Sequence, residues 1–389
     1  MKLFKSLLVA PATLGLLAPM TATANELNIN EVSNYSSSEE VQNISEFNQK
    51  ELAVTKSRVD GLEARMNNYE AGSFSETTTA SFGLDMYIGS LDTDDGSDND
   101  SVMASYSLGI SLNTSFTGED SLDIAIDAGN APAGVAEFDG NTNGDSLKVD
   151  GVSYTFPLGD KTTVIAGIDT DGSALFTTAC AYGGPSAMLD DCANVNAGIT
   201  GGGATIGAAY DFGTGFTAAA GAQTTESAVF TDESMDAYAL NAAYTADTYG
   251  VSVTYGVVES SSTEEDTFTA FNAYYLPEGA LPSISVGYEL GDIGGAASTV
   301  DEKTSFFVGL SWDEVGPGTA GIAAGHSSTV EGSDEEYQYE AYYSYPINDG
   351  MTITPLIYSK DNATSGKDDS TGVMAVSYTH LTLPTKRIV

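Results

Sequence analysis

Residues 105–112 read SYSLGISL, in which Tyr106, Leu108, Ile110 and Leu112 alternate with Ser105, Ser107, Gly109 and Ser111. A period of two sends successive side chains to opposite faces of an extended strand, here one apolar face and one small, polar face. The pattern recurs along the chain. Phe82, Leu84, Met86 and Ile88 alternate with Ser81, Gly83, Asp85 and Tyr87, and Leu122, Ile124 and Ile126 alternate with Asp123, Ala125 and Asp127. Further on, Val251, Val253, Tyr255 and Val257 alternate with Ser252, Thr254 and Gly256, and Phe306, Val308, Leu310 and Trp312 with Ser305, Gly309 and Ser311. Alternating segments of about ten residues are the signature of membrane-spanning barrel strands.

Alternation alone also fits a soluble sandwich, so the connections decide. Short turns at 117–120, 158–161, 213–215, 246–249, 277–282, 313–318 and 347–350 alternate with long polar stretches at 91–101, 129–146, 172–203, 225–235, 259–266, 292–303, 327–336 and 360–371. Eight long loops predict eight hairpins, hence an all-β, transmembrane antiparallel β-barrel of about 16 strands over residues 76–379. Short turns would face the periplasm and long loops the outside. A sandwich has no reason to sort its connections by length onto one end. Aromatic residues near the strand ends, among them Tyr154, Phe156, Tyr337, Tyr339, Tyr343 and Tyr345, suit a bilayer interface. Inward positions read as Ser, Thr, Gly, Asp and Gln, which at this strand number predicts a water-filled bore.

Acidic residues number 55 against 13 basic ones, a net charge of −42, which excludes nucleic acid as a partner. The barrel region contains no arginine, since Arg58, Arg65 and Arg387 are the three in the chain. Its lysines are Lys148, Lys161, Lys303, Lys360 and Lys367. Rings of carboxylates favour cations, whereas Arg and Lys favour anions. Asp85, Asp123, Asp127, Asp169 and Asp171 fall on predicted lumenal positions, with Asp190 and Asp191 in the third long loop. The expected behaviour is cation preference through electrostatic focusing rather than a tight site. Many of the other acids serve only to hydrate the loops.

Cys180 and Cys192 are too few for a disulfide scaffold and, in an exported chain, are expected to form one loop-closing bridge. His326 and His380 are the only histidines, and no nucleophile–base pair, zinc motif or phosphate loop is present. No enzyme activity, metal or cofactor is therefore expected. The acidic stretch DTDDGSDND at 92–100 places Gly96 fifth, not sixth, so it fails the register of a calcium loop.

The start of the chain reads as a secretory signal over residues 1–24: Lys2 and Lys5, an apolar run at 7–17, then Ala22-Thr23-Ala24. No later stretch approaches the ~18 to 20 apolar residues of a membrane helix, so insertion must be by barrel. Residues 25–45 read as a polar linker. At 46–70, Leu52, Val59 and Met66 recur every seven residues, interleaved with Thr55, Leu62 and Tyr69. This predicts a helix, either self-associating as a coiled coil or lying free on a surface. At the other end, VSYTHLTLPT within 376–389 resembles the conceptual translation of a sequencing adapter. On that resemblance the true C-terminal strand end is expected to be replaced.

The opening segment, MKLFKSLLVAPATLGLLAPMTATANELNINEVSNYSS, and the helix ELAVTKSRVDGLEARMNNYEAGSFSETTT resemble the outer-membrane porins of marine cyanobacteria. The resemblance covers the first 80 residues; the barrel shares only the pattern. It implies a carbohydrate-selective or iron-uptake diffusion channel in the outer membrane, a homotrimer that passes small hydrophilic solutes or cations and contacts outer-membrane lipid. Such porins usually carry a surface-layer-homology domain between these two segments, and here only about 15 residues separate them, so wall anchoring is not implied. By likeness to trimeric porins, the third long loop, 172–203, is the candidate constriction. The alternative is a non-conducting structural or adhesive barrel that displays acidic loops.

Overall fold

The computed structural model describes residues 77–383 except 93–100, 132–139, 187–188, 190, 228, 230, 232–234, 262–263, 295–300 and 364–368. The segments expected as signal peptide, linker and helix lie outside the described residues, as do Asp190 and most of the acidic stretch at 92–100.

Sixteen strands follow one another: β1 (Thr78–Asp92), β2 (Met103–Thr114), β3 (Ser121–Gly129), β4 (Lys148–Pro157), β5 (Thr162–Ile168), β6 (Ala204–Asp211), β7 (Phe216–Thr224) and β8 (Asp236–Thr245) form the first half. The second half is β9 (Tyr249–Ser261), β10 (Glu264–Tyr275), β11 (Ser283–Asp292), β12 (Glu302–Val315), β13 (Gly318–Val330), β14 (Gln338–Asn348), β15 (Met351–Lys360) and β16 (Ser370–Leu383). Each strand pairs antiparallel with its neighbours in sequence, and β16 pairs with β1 to close the barrel. The closing register runs from Asp92 opposite Thr371 to Ala80 opposite Leu383, so the adapter-like stretch supplies part of the last strand. Closure leaves no open sheet edge, which is what allows a sheet to exist in lipid at all.

The outer face carries the apolar half of the alternation. Met86, Ile88, Ile206, Leu240, Val251, Phe271, Leu290, Ile322, Ile357 and Val373 all stand exposed on it. Aromatic rings gather where strands meet the short turns: Tyr154 stacks on Phe156 at 5.6 Å, Tyr210 meets Phe212 at 4.8 Å, and Phe216 meets Tyr244 at 4.5 Å. At the long-loop end, Tyr337 contacts both Tyr339 and His326.

Two expectations need correction. The stretch 259–266 is not a long loop: β9 and β10 stay paired to Ser261 opposite Glu264. Its Ser, Thr and Glu residues suggested a loop, but a strand that extends beyond the apolar band keeps its backbone ladder without needing apolar side chains. The inner face is also not uniformly small and polar. Phe307, Tyr342, Leu356, Tyr358, Met374 and Val376 are buried and belong to one cluster with Tyr87, Tyr182, Leu189 and Cys192. Parity alone points them into the bore. A loop packed over them makes them a core instead.

The short turn between β2 and β3 is built on one carboxylate. Asp120 accepts the backbone N–H groups of Phe116 (3.0 Å) and Thr117 (2.7 Å), the Ser115 hydroxyl (2.9 Å) and the Tyr154 hydroxyl from β4 (2.6 Å). The Tyr154 bond first, then the Thr117 N–H, hold its carboxyl well below the usual carboxylate range. A depressed folded value adds stability above the unfolded pKa, and that stability is lost as pH falls toward the folded value. The wild-type barrel is therefore expected to lose unfolding free energy below about pH 4, whereas Asp120→Asn loses it at neutral pH and flattens that acid limb. Urea unfolding of both proteins between pH 7 and pH 2 checks this; parallel curves would contradict it.

Candidate functional site

The longest connection, residues 169–203 between β5 and β6, lies against the inside of the wall as a two-armed hairpin. The outgoing arm is tied strand by strand. Gly172 N–H donates to Gln223 of β7 (2.9 Å), Thr177 N–H to Asn241 of β8 (3.1 Å) and Ala179 N–H to Ser252 of β9 (2.9 Å). Ala181 N–H donates to Ser285 of β11 (2.8 Å), and the Tyr182 hydroxyl to Glu340 of β14 (2.6 Å). The returning arm passes back over the same strands. The Cys192 carbonyl accepts Asn272 of β10 (2.7 Å), and Asn196 and Ala197 donate their N–H groups to Glu289 of β11. Cys180 and Cys192 are disulfide-bonded, Cα atoms 6.3 Å apart, which joins one arm to the other. Asn194 adds a second cross-arm bond to the Thr178 hydroxyl (3.1 Å).

Glycines in the wall make this approach possible. A Cβ on Gly287 would overlap the Cys192 carbonyl, and one on Gly221 the Gly172 carbonyl. At Gly256 a Cβ would sit 2.8 Å from the Ala197 Cα. The docked loop then buries the wall aromatics: Tyr182 packs on Phe307 at 5.4 Å and on Tyr342 at 6.0 Å.

The other side of the lumen is acidic. Asp85 of β1 and Asp127 of β3 line one recess together with Gly83, Ser107 and Asn141. Asp127 is partly occupied, because Asn143 donates to it at 3.0 Å and Asn141 also bonds it. Asn141 and Asn143, just before β4, therefore turn inward too, with Asn141 N–H on Ser107 of β2 (3.3 Å). A second recess lies at the root of the inner loop itself, where its two ends bring Asp169, Asp171, Gly201 and Gly202 together beside Asp150 of β4. Asp123 stands apart toward the short turn, where Asn113 (2.6 Å) and Ser121 (2.5 Å) donate to it. Asp191 is exposed and lines neither recess.

Burial, and after it a hydrogen bond and repulsion from Glu226, raise the Asp169 carboxyl above the usual range. Burial raises Asp171 as well, opposed by the Gly202 N–H, with repulsion from Asp150 adding to the rise. Sequence reading missed Asp150, Glu226, Glu289 and Glu340. Asp150 hid in a bulge: Ala125 pairs Gly151 while Ile126 pairs Val149, so the extra residue breaks the parity used to sort faces. Glu289 and Glu340 left a signal, being long acidic side chains at inward positions of strands. No group of three or more His, Cys, Asp and Glu among the described residues is arranged to hold a metal ion.

Comparison with solved structures gives the architecture its likeness. OprB of Pseudomonas putida matches at a TM-score of 0.59 with 10% identity, over 79% of this chain and 94% of that one. The fold is the sixteen-stranded porin fold. A variant of the Rh. blastica porin matches at 0.53 with 13% identity, over 78% of this chain and 100% of that one. At such identities the likeness is one of fold alone. In sequence, an uncharacterized protein of Nostoc sp. (alr4550) is 24% identical over 411 residues, spanning 87% of this chain and 72% of that protein. No family model matches the chain.

Proposed function

We propose that the chain is an outer-membrane porin, a passive channel for small hydrophilic solutes and ions that prefers cations and is narrowed by the inner loop 169–203. The observation that carries this reading is the docking of that loop on one half of a closed barrel, across from a recess lined by Asp85 and Asp127, with Asp150, Asp169 and Asp171 lining a second recess at the root of the loop. Carboxylates along a low-dielectric wall raise the local concentration of cations. In this reading the long loops face outward, the first 24 residues direct export and are removed, and carbohydrate or iron transport remains the class suggested by the N-terminal resemblance.

The outer face supports a homotrimer. β5 and β6, with seven and eight residues, are shorter than the roughly nine to eleven that a tilted spanning strand needs. Beside them the outward residues Ala208, Ala218, Ala220 and Ala222 form a patch of small side chains between Ile206 and Tyr210, suited to another copy rather than to lipid.

The deciding measurement is single-channel recording of the refolded protein in a planar bilayer. Stepwise current is expected, with a reversal potential in a salt gradient that favours potassium over chloride. Absence of steps would favour the non-conducting structural barrel.

A further inference from the structure

Glu289 of β11 and Glu340 of β14 are 1% and 3% exposed, and the acidic recesses include neither. On β11 the other inward residues are Ser283, Ser285, Gly287 and Gly291, so Glu289 is the single long side chain on that face. Its Oε2 accepts the N–H groups of Asn196 (2.9 Å) and Ala197 (2.8 Å), and its Oε1 the Asn196 side-chain amide (2.7 Å). Glu340 Oε1 accepts the Tyr182 hydroxyl (2.6 Å) and its Oε2 the Ser186 N–H (3.1 Å). Both carboxylates thus bind the inner loop through both oxygens, one on each arm, and Glu289 also takes a long bond from Ser305 of β12 (3.5 Å).

We infer that Glu289 and Glu340 are the positioning residues of the inner loop, a pair of clasps that hold its outgoing and returning arms flat against the wall and so set the open bore. The inference rests on the channel reading for its functional meaning. Asn196, Ala197 and Ser186 lie in irregular backbone, where no strand ladder satisfies their N–H groups. A buried N–H deprived of its acceptor is costly, and bonds to an ionised carboxylate are about twice as strong as neutral ones. Truncating either glutamate would leave donors stranded against the wall, and those arms would then gain by leaving it for water in the lumen. The nearby serine and asparagine contacts, among them Ser285 with Ala181 and Tyr182 and Asn241 with Thr177, are all to neutral groups, so the two glutamates are the points at which docking is decided.

The test uses the full refolded chain with Glu289→Ala, Glu340→Ala, Glu289→Gln and Tyr182→Phe. The last removes a loop hydroxyl and leaves the barrel strands untouched, which covers the case in which a wall variant does not fold. Two readouts are taken: closed-to-open ratio in planar bilayers, and hydrogen exchange of the amides at 182–197. Expected is a rise of at least roughly fivefold in both for the alanine variants, an intermediate value for Glu289→Gln, which keeps one acceptor oxygen, and unchanged exchange in the strands. Exchange and gating that match the wild type in the folded variants would overturn the inference. Because exchange needs no current, a native protein that never conducts would refute the channel reading while the clasp is still judged on its amides.

Discussion

A Gly287→Val variant will form its barrel yet spend far more time closed than the wild type. Gly287 faces inward on β11, and any Cβ there overlaps the carbonyl oxygen of Cys192 and approaches the Asn272 side chain that bonds it. Valine cannot rotate away from the clash, because its branch starts at Cβ. Either the strand bends or the returning arm lifts, and the arm is the softer of the two, being irregular backbone rather than a ladder shared with β10 and β12. Overpacking of this kind costs about 1–3 kcal/mol, which converts to a roughly 5- to 150-fold shift in the balance between docked and lifted loop. Single-channel traces would show longer closures, while heat-resistant migration of the barrel stays as in the wild type. A substitution on the outer face of the same strand, such as Val286→Leu, is expected to leave the traces unchanged. Steady wild-type conductance from Gly287→Val would mean that the loop does not lie where the glycine admits it.

The second large effect concerns charge. Asp150→Lys combined with Asp171→Lys is expected to reverse the sign of the reversal potential in a salt gradient, from potassium-preferring to chloride-preferring. Both side chains line one recess beside Asp169. Two unit charges 4 Å apart interact by about 1 kcal/mol in bulk water and about 4 kcal/mol near a protein surface. Turning two negative charges into two positive ones therefore shifts cation-to-anion selectivity by roughly tenfold or more. Lysines elsewhere on the barrel are few, so nothing nearby masks the change. The wild type should show a milder version on acidification. Since burial raises Asp169 and Asp171, the ionised forms disappear at a pH above the ordinary carboxylate range, and cation preference fades sooner than free aspartate would predict. A reversal potential unmoved by the double lysine variant would place selectivity elsewhere.

The barrel itself was legible because period two is a direct image of a strand with unlike surroundings on its two faces. The strand count followed from loop lengths, even though 259–266 was misread; the error left the number of hairpins unchanged because β9 and β10 still turn there. What parity cannot report is the occupant of the inside. Phe307, Tyr342 and Leu356 have the same parity as Ser305 and Gly309, and only the docked loop distinguishes a core from a water-filled wall. The inner loop is likewise written across distant residues: Tyr182 depends on Glu340, 158 positions away, and Asn196 on Glu289, 93 away. Local pattern carries no trace of such pairings. Of the aspartates expected at the lumen, Asp85, Asp127, Asp169 and Asp171 fall in two recesses, whereas Asp123 and Asp191 do not join them.

Those long separations also order events in time. The strands that receive the outgoing arm, β7 to β14, all emerge after the loop has been synthesised, and the last receptor, Glu340, stands two strands before the end of the barrel. The outgoing arm cannot complete its contacts until β14 has joined the strands before it in the wall. Its seating is consequently coupled to the joining of distant strands, and a wall that lacked β14 would leave Tyr182 and Ser186 without their receptor.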